Sequence, residues 1–570
     1  MKKRNIILTG AAVIAAVFCV CFLAASRNET FQEKSNQESE NVSAADNTEK
    51  WNQASHTPLG KYPETVEYSL GKIAGANNAN LPIGDTYEDN AYTRYLKNVL
   101  NIQNKDVFEL EAGGSYEEAL EMAIADKDIP DILVVSGRDN LVRLVEEGMV
   151  EDLSRVYEEC TTDTIKEMYQ SYGDSLLDSA TFDGKLYAFP NTAIDDGEML
   201  LWLRQDWIEK LGMEEPRTMD EAMEVIRAFV ENDVGGDGKT IGLACSTDLI
   251  AGSSETYGVD GIFSNFGALP ETWLLNENGH AVYGSLTQNT KRALAYLNQL
   301  YNEGILDSRF LLRKTENIDE LVVKGYCGAI FGRWWAPNNP LISSYSADNS
   351  ARWKPYLFPP EENETEPEII FESYDDWMYV VVRKGYAYPE IVGKYVSVIF
   401  DYSRYEDDKY ANEVNDYFAI NVDPTARPMN INVDYIDALY RCGRNIQRAL
   451  DSEISVTELS GLEKSYYNTC RSYLNGNLTT ANGWAAYASR IEAVEVLKEA
   501  AEPEKSVVSM GSADGEIPQN LQDMEQQTFL QIITGEKSLD YFDTFVIEWY
   551  ENGGAELEED VQASYEKTLE

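Results

Sequence analysis

Residues 233–242 read DVGGDGKTIG, and their types suggest two kinds of chemistry. Gly238-Lys239-Thr240 has the ending of a phosphate-cradling P-loop, while Asp233, Asp237 and Gly238 occupy the first, fifth and sixth places of a calcium-binding EF-hand loop. A P-loop needs glycine where Asp233 stands, and a helix directly after it whose N-terminus holds the phosphate. For calcium, Gly235 stands at the third place and Ala244 at the twelfth, so two ligands are missing, including the bidentate acid. The favoured reading is a glycine turn that ends a helix. A degenerate calcium site made from Asp233, Asp237 and main-chain carbonyls stays open, and no other cofactor is indicated.

A second constellation is Tyr374-Asp375-Asp376-Trp377. Two carboxyls can serve as the acid and base of a glycosidase. Carboxylates adjacent in sequence rarely face one scissile bond, however, and nothing else supports hydrolysis, which leaves ligand hydrogen bonding or a solvated turn. The two histidines, His56 and His280, cannot build a Ser-His-Asp set or a histidine metal site. Five cysteines lie beyond residue 26, widely spaced and without a CxxC pair, so buried thiols are expected rather than metal ligation.

These residues need a scaffold, and the hydrophobic pattern supplies one. TVEYSL (65–70), VFELEA (107–112), DILVVS (131–136) and KLYAFP (185–190) read as strands. AYTRYLKNVLNI (91–102), SYEEALEMAIA (115–125) and LVRLVEEG (141–148) have helical spacing. Alternating strands and helices imply an α/β fold with a mostly parallel, doubly covered sheet. Ligands of such sheets collect beyond the carboxyl ends of the strands, here at loops 73–85, 136–140 and 190–198. Farther on, Thr218 and Glu221 form a capping box before a helix whose apolar face is Ala222, Val225, Ile226, Phe229 and Val230. DVGGDGKTIG follows that helix and precedes the strand IGLA (241–244), the reverse of the P-loop order.

The chain of 570 residues carries 98 acidic against 47 basic side chains, a formal charge of −51. Such a surface repels nucleic acid and anionic membranes and suits neutral or cationic ligands. Met1-Lys2-Lys3-Arg4 followed by an apolar run to Ala25 reads as an export signal over residues 1–26, cleaved or kept as a membrane anchor. Cys19 and Cys21 admit lipidation, although Phe18 and Val20 precede them where lipidation signals usually have small residues. Residues 27–60 are a polar tether. The protein is therefore expected outside the cell membrane, tethered to its outer face or secreted.

The order DGKLYAFP, a strand into LRQDWIEKLG, EPRTMDEAMEVIRAF, a D/G-rich turn and IGLA resembles the extracellular solute-binding proteins, family 1, of carbohydrate ABC transporters. Among them it resembles the large lipoprotein-type members, which are related to the alginate-oligosaccharide-binding proteins. GVDGIFSNFGALPETWLLNENGHAVYG, KRALAYLNQLYNEGILD, KGYCGAIFGRWW and IITGEKSLDYFDTFVIEWYENGGAEL extend the resemblance over roughly residues 62–565. Two departures stand out: no good lipobox cysteine, and a D/G-rich loop shorter and poorer in oxygen ligands than the calcium-like loop of many members.

The resemblance implies a two-lobed periplasmic-binding-protein type II (Venus-flytrap) fold with hinge-linked lobes and extra C-terminal helices. Lobe 1 would take residues 61–200 and 372–440, and lobe 2 residues 201–371 and 441–570. The chain would cross near Leu200–Leu203 and return near Ile370–Ser373. It implies a monomeric, non-enzymatic component that captures an oligosaccharide, expected to be neutral, and delivers it to ABC permease subunits. A secreted carbohydrate-active enzyme and a ligand-presenting sensor are the alternatives.

Sugars offer apolar C–H faces and a rim of hydroxyls, so their sites use flat aromatic rings and planar polar groups. Arg333, Trp334 and Trp335 follow a buried strand, and adjacent tryptophans cannot both enter one core from a regular strand, so at least one is expected on the ligand. Tyr374, Asp375, Asp376 and Trp377 precede the strand MYVVV. Arg138 follows DILVVS, Asn191, Asp195 and Asp196 lie between strand and crossing, and Tyr257 and Phe263 occupy a loop rich in glycine and aromatics. All are candidate ligand-binding residues.

Overall fold

The computed structural model describes residues 48–568 apart from 112–113, 174, 252–255, 277, 359–368, 374–376, 420–421, 477–479, 500–505 and 511–516. The expected signal and most of the tether, like Tyr374, Asp375 and Asp376, lie outside the described residues.

The first lobe is built on a five-stranded sheet in the order Ile102–Glu111, Val66–Ala74, Ile132–Ser136, Met378–Val382, Ala188–Pro190. Val66–Ala74 runs parallel to both its neighbours, because helices Ala91–Leu100 and Gly114–Asp126 carry the chain back between strands. Met378–Val382 arrives from the other lobe and pairs antiparallel on both sides. The apolar run of Ile132–Ser136 is buried along nearly its whole length, as a strand covered on both faces must be. The expected helix 91–102 stops earlier: Asn101, at φ 64°, ends it in the left-handed conformation that asparagine tolerates. Ile102 already begins the next strand.

A segment before the first strand is tied to this lobe. Residues 48–56 are helical, and Trp51 stacks on Tyr388 with ring centroids 5.8 Å apart. The ammonium of Lys394, fully buried in helix Ile391–Phe400, donates to the carbonyls of Ala54 (2.8 Å), Thr57 (2.8 Å) and Gly60 (2.7 Å). A cation thus closes the carboxyl end of the helix over residues 48–56, where orphan carbonyls and the helix dipole favour it. Burial lowers the Lys394 pKa to about 8, partly offset by Cys160 and Glu390. Lys394→Met leaves three carbonyls without their donor, and we expect a loss of about 2 kcal/mol. Hydrogen exchange should rise within residues 48–60 while the first sheet stays protected; unchanged exchange there would refute the tie.

The second lobe has a four-stranded sheet in the order Trp353–Tyr356, Leu200–Arg204, Cys327–Gly332, Ile241–Ala244. Helix Met219–Glu231 packs on it through Ala222, Val225, Ile226 and Phe229. Thr218 caps that helix by accepting from the Glu221 N–H, but the Glu221 carboxylate reaches back to the Arg217 N–H (2.8 Å) rather than to that of Thr218. A third sheet, Ala281–Tyr283, Trp273–Leu275, Ile369–Ser373, Ser506–Met510, has no counterpart in the sequence-based expectations. Its Tyr283 stacks on Trp549 of helix Tyr541–Trp549 at 5.2 Å and 13° between planes, which binds the C-terminal helices to the lobe. A further helical layer, Ala438–Leu450, Gly461–Leu474 and Ala481–Tyr487, packs on the second sheet's other face, with Tyr345 stacked on Trp484 at 5.1 Å.

The chain passes between the cores three times. Phe189 belongs to the first core and Met199 to the second. Ser373 ends a strand of the third sheet, whereas Trp377 packs on the first core. Val433 lies in the first core and Leu439 with the second sheet.

Candidate functional site

The first lobe presents three strand ends side by side. Ser136 pairs with Met378, the Gly137 N–H donates to the Trp377 carbonyl (3.0 Å), and the Asn191 N–H donates to the Met378 carbonyl (2.8 Å). Ser136, Trp377 and Asn191 therefore share one edge, the carboxyl end of Ile132–Ser136. Gly137 sits at φ 72°, which glycine adopts without strain and which turns the chain sharply into helix Arg138–Glu146. Trp377 is half-buried at this edge. The amide oxygen of Asn191 accepts from the Asn432 N–H (2.6 Å), and its neighbour Thr192 bonds the same residue's carbonyl. Arg138 turns back into its own lobe: Nε donates to the Ser179 carbonyl (3.1 Å), and the guanidinium lies 5.4 Å from the Phe182 ring centre.

On the second lobe, the crossing residues meet the end of strand Cys327–Gly332. Trp334 is buried, 8% exposed, and its indole N–H donates to Asp196 Oδ1 (2.9 Å). Arg333 Nη1 donates to the Gly197 carbonyl. The Arg490 guanidinium covers the Trp334 ring at 4.3 Å and the Tyr466 ring at 4.5 Å. Asp195 accepts from the Gly197 N–H (2.8 Å), and its own N–H donates to the Ile436 carbonyl (2.8 Å). Crossing residues 191–198 are thus stitched to the second lobe by Arg333 and Trp334 and to the third crossing by Asn191, Thr192 and Asp195. Burial, with the carboxylates of Asp195, Glu198 and Asp196 nearby, raises the pKa of the Tyr440 phenol beside this crossing. Trp335, unlike Trp334, is only half-buried.

Two candidates belong elsewhere. Tyr257 is wholly buried, with its hydroxyl on Asp319 Oδ1 (2.5 Å). Phe263 is buried too and stacks on Phe529 at 6.2 Å. Both rings serve the second lobe's interior, because Tyr257 and Gly261 lie against Phe331 and carry the chain inward there.

The DVGGDGKTIG turn closes on itself. The Asp233 carboxylate accepts from the Gly238 N–H (2.7 Å), the Thr240 N–H (3.2 Å) and the Thr240 hydroxyl (2.8 Å), and these bonds lower its pKa. Asp237 faces the Tyr326 hydroxyl (3.2 Å) and the Lys239 ammonium (3.6 Å). Among the described residues no three His, Cys, Asp or Glu side chains are grouped to hold a metal ion. Donors of the loop itself stand where a cation would have to bind, so these residues do not fit calcium.

Arg490, Tyr440 and Asn432 were not foreseen. Each meets a partner more than 150 residues away in the sequence, and no local spacing marks such a meeting.

The comparisons with known proteins agree with this architecture. Residues 91–340 match the family model of a bacterial extracellular solute-binding protein. Two curated relatives come from Bacillus subtilis (strain 168). Lipoprotein LipO is 26% identical over 219 residues, 38% of this chain and 41% of the relative. The polygalacturonan/rhamnogalacturonan-binding protein YtcQ is 27% identical over 222 residues, with the same shares. The chain thus spans about two fifths of the length of these relatives. Among solved structures, the Streptococcus pneumoniae ABC-transporter substrate-binding protein FusA in complex with kestose superposes with TM-score 0.54 at 15% identity, covering 88% of this chain and 99% of that one. An HMO-binding, ABC-transporter-associated solute-binding protein from Bifidobacterium longum infantis gives TM-score 0.57 at 13% identity, covering 88% and 98%. The shared fold is the two-lobed α/β one.

Proposed function

We propose, from the match of residues 91–340 to the family model of a bacterial extracellular solute-binding protein, that the chain captures an oligosaccharide between its two lobes and passes it, unaltered, to an ABC permease. The observation that carries the reading is the pair of strand ends that crossing 191–198 joins, one beside Trp377 and the other beside Trp335, on separate cores. Two half-buried indoles on opposite lobes can sandwich a sugar's apolar face, and closing about the crossings would bring them together. The kestose complex of FusA and the polysaccharide named for YtcQ are carbohydrates, which supports this class of ligand. Tethering outside the membrane, a monomeric state and the absence of turnover are parts of the same proposal.

A thermal-shift screen against neutral and acidic oligosaccharides tests it. A ligand at 100 times its Kd should stabilise the protein by about 2.7 kcal/mol. Trp335→Ala and Trp377→Ala should each weaken that ligand about tenfold or more, since one stacked aromatic is worth roughly 1 kcal/mol beyond the area it covers. Indifference to every glycan together with a response to peptides would overturn the ligand class. Product formation during incubation would favour the enzyme reading instead.

A further inference from the structure

The second lobe holds a cavity of about 530 Å³ apart from both tryptophans. It lies at the same end of the lobe as Arg333. Strand Ile241–Ala244 runs parallel to Cys327–Gly332, with Ala244 beside Ile330, so Asp248, Leu249 and Ile250 emerge where Arg333 does. Helix Gln519–Ile533 closes the other side with Gln522, Asp523, Glu525 and Gln526, and Tyr283 and Phe529 add aromatic wall. Among the described residues, four carboxyl groups, Asp248, Glu271, Asp523 and Glu525, line this space, and no lysine, arginine or histidine does.

Glu525 is the decisive member. It is 3% exposed, and the Ser285 hydroxyl donates to its Oε1 (2.5 Å). Its Oε2 is buried without a hydrogen-bond partner, although the Tyr283 phenol lies near enough to interact with the carboxyl. A buried carboxyl oxygen left unpaired costs free energy that a donor in the cavity would recover. The carboxylates also work against one another: desolvation, with Asp260 and Asp248 nearby, raises the Glu271 pKa, and burial with Glu271 nearby raises that of Glu525. A positive charge would relieve this repulsion. No three metal-ligating side chains converge among the described residues, which argues against a compact metal ion and for a larger cation with several N–H donors.

We propose that this cavity is a subsite for a protonated amine, so that the captured oligosaccharide carries an amino-substituted sugar. The inference rests on the oligosaccharide-binding reading and narrows its ligand to cationic glycans. In it the ammonium donates to Glu525 and to the exposed carboxylates of Asp248 and Asp523.

Calorimetric titration of the full chain with three β-1,4-linked trisaccharides, built of glucose, N-acetylglucosamine and glucosamine, separates the possibilities. They differ only at the second carbon of each ring, and only the last is cationic. The glucosamine trimer should bind at least about tenfold more tightly than either neutral one, as a charge-assisted hydrogen bond allows. The preference should survive 0.5 M salt, which screens loose attraction to the acidic surface. Asp248→Asn and Asp523→Asn, both at exposed positions and so safe for folding, should each reduce it, and Glu525→Gln should abolish it. Neutral trimers bound as tightly as the cationic one would overturn the proposal while leaving oligosaccharide capture intact. So would a preference that persists in all three variants, or no binding of any trimer; capture itself is judged by the broader glycan screen.

Discussion

Trp334→Ala should lower the free energy of unfolding by about 3–5 kcal/mol, the range for removing a large buried aromatic. Three losses combine. The ring leaves a void among Trp202, Tyr345 and Trp484 in the second lobe. Asp196 loses the indole donor that ties the crossing to that lobe. Arg490 loses one of the two rings between which its guanidinium lies, and its Nε is already buried without a partner. Trp334→Phe keeps most of the packing and removes only the N–H, so it should cost about 1 kcal/mol. Urea unfolding of both variants measures the difference. A cost below about 1 kcal/mol for the alanine variant would mean that the ring is not part of the join, since buried aromatic truncations fall well above that. The alanine variant should also lose ligand-induced compaction in solution scattering, because residues 191–198 would no longer move with the second lobe.

The second large effect is a pH dependence at Glu525. Burial raises its pKa from the ordinary carboxylate range to about 8. The folded protein therefore holds a proton there that the unfolded chain releases near its ordinary pKa of 4.5. A raised pKa of this kind contributes stability that is fully present below the unfolded value and is lost as the pH rises through the folded one. Between pH 5 and pH 8 the loss amounts to roughly 4 kcal/mol at one pKa unit per 1.36 kcal/mol. Glu525→Gln has the same shape and no titration. Its melting temperature relative to the unsubstituted protein should climb steadily from pH 5 to pH 9. A difference flat across that interval would show that the carboxyl is ionised in the fold and held by a cation already. The measurement also bears on the amine subsite, since a bound ammonium would favour the ionised form and flatten the slope.

Much of the fold is written locally. The continuous apolar run of DILVVS can only be a strand covered on both faces, and it is one. Thr218 with Glu221 announces a helix start, and the helix begins at Met219. The glycines of DVGGDGKTIG announce a turn, and the loop bonds to itself through Asp233. Periodicity, capping chemistry and turn propensity act within a few residues, so a linear reading captures them. The third sheet was hidden for the opposite reason. Its strands are short and come from positions 273, 281, 369 and 506, so most of their pairing partners lie far away in the sequence.

The site divides along the same line. By itself the sequence pointed to the carboxyl ends of Ile132–Ser136 and Cys327–Gly332 as candidate edges, because both strands are legible in it. It also placed a pair of indoles at the second edge. Only the tertiary structure decided that Trp334 turns inward to Asp196 and Arg490 while Trp335 stays half-open, that Tyr257 and Phe263 are interior, and that Arg138 is spent on Ser179 and Phe182. Adjacent side chains of one strand end are equivalent in type and position until distant partners arrive. Which ring is buried depends on a guanidinium more than 150 residues away, and desolvation of that kind is a property of packing, not of spacing.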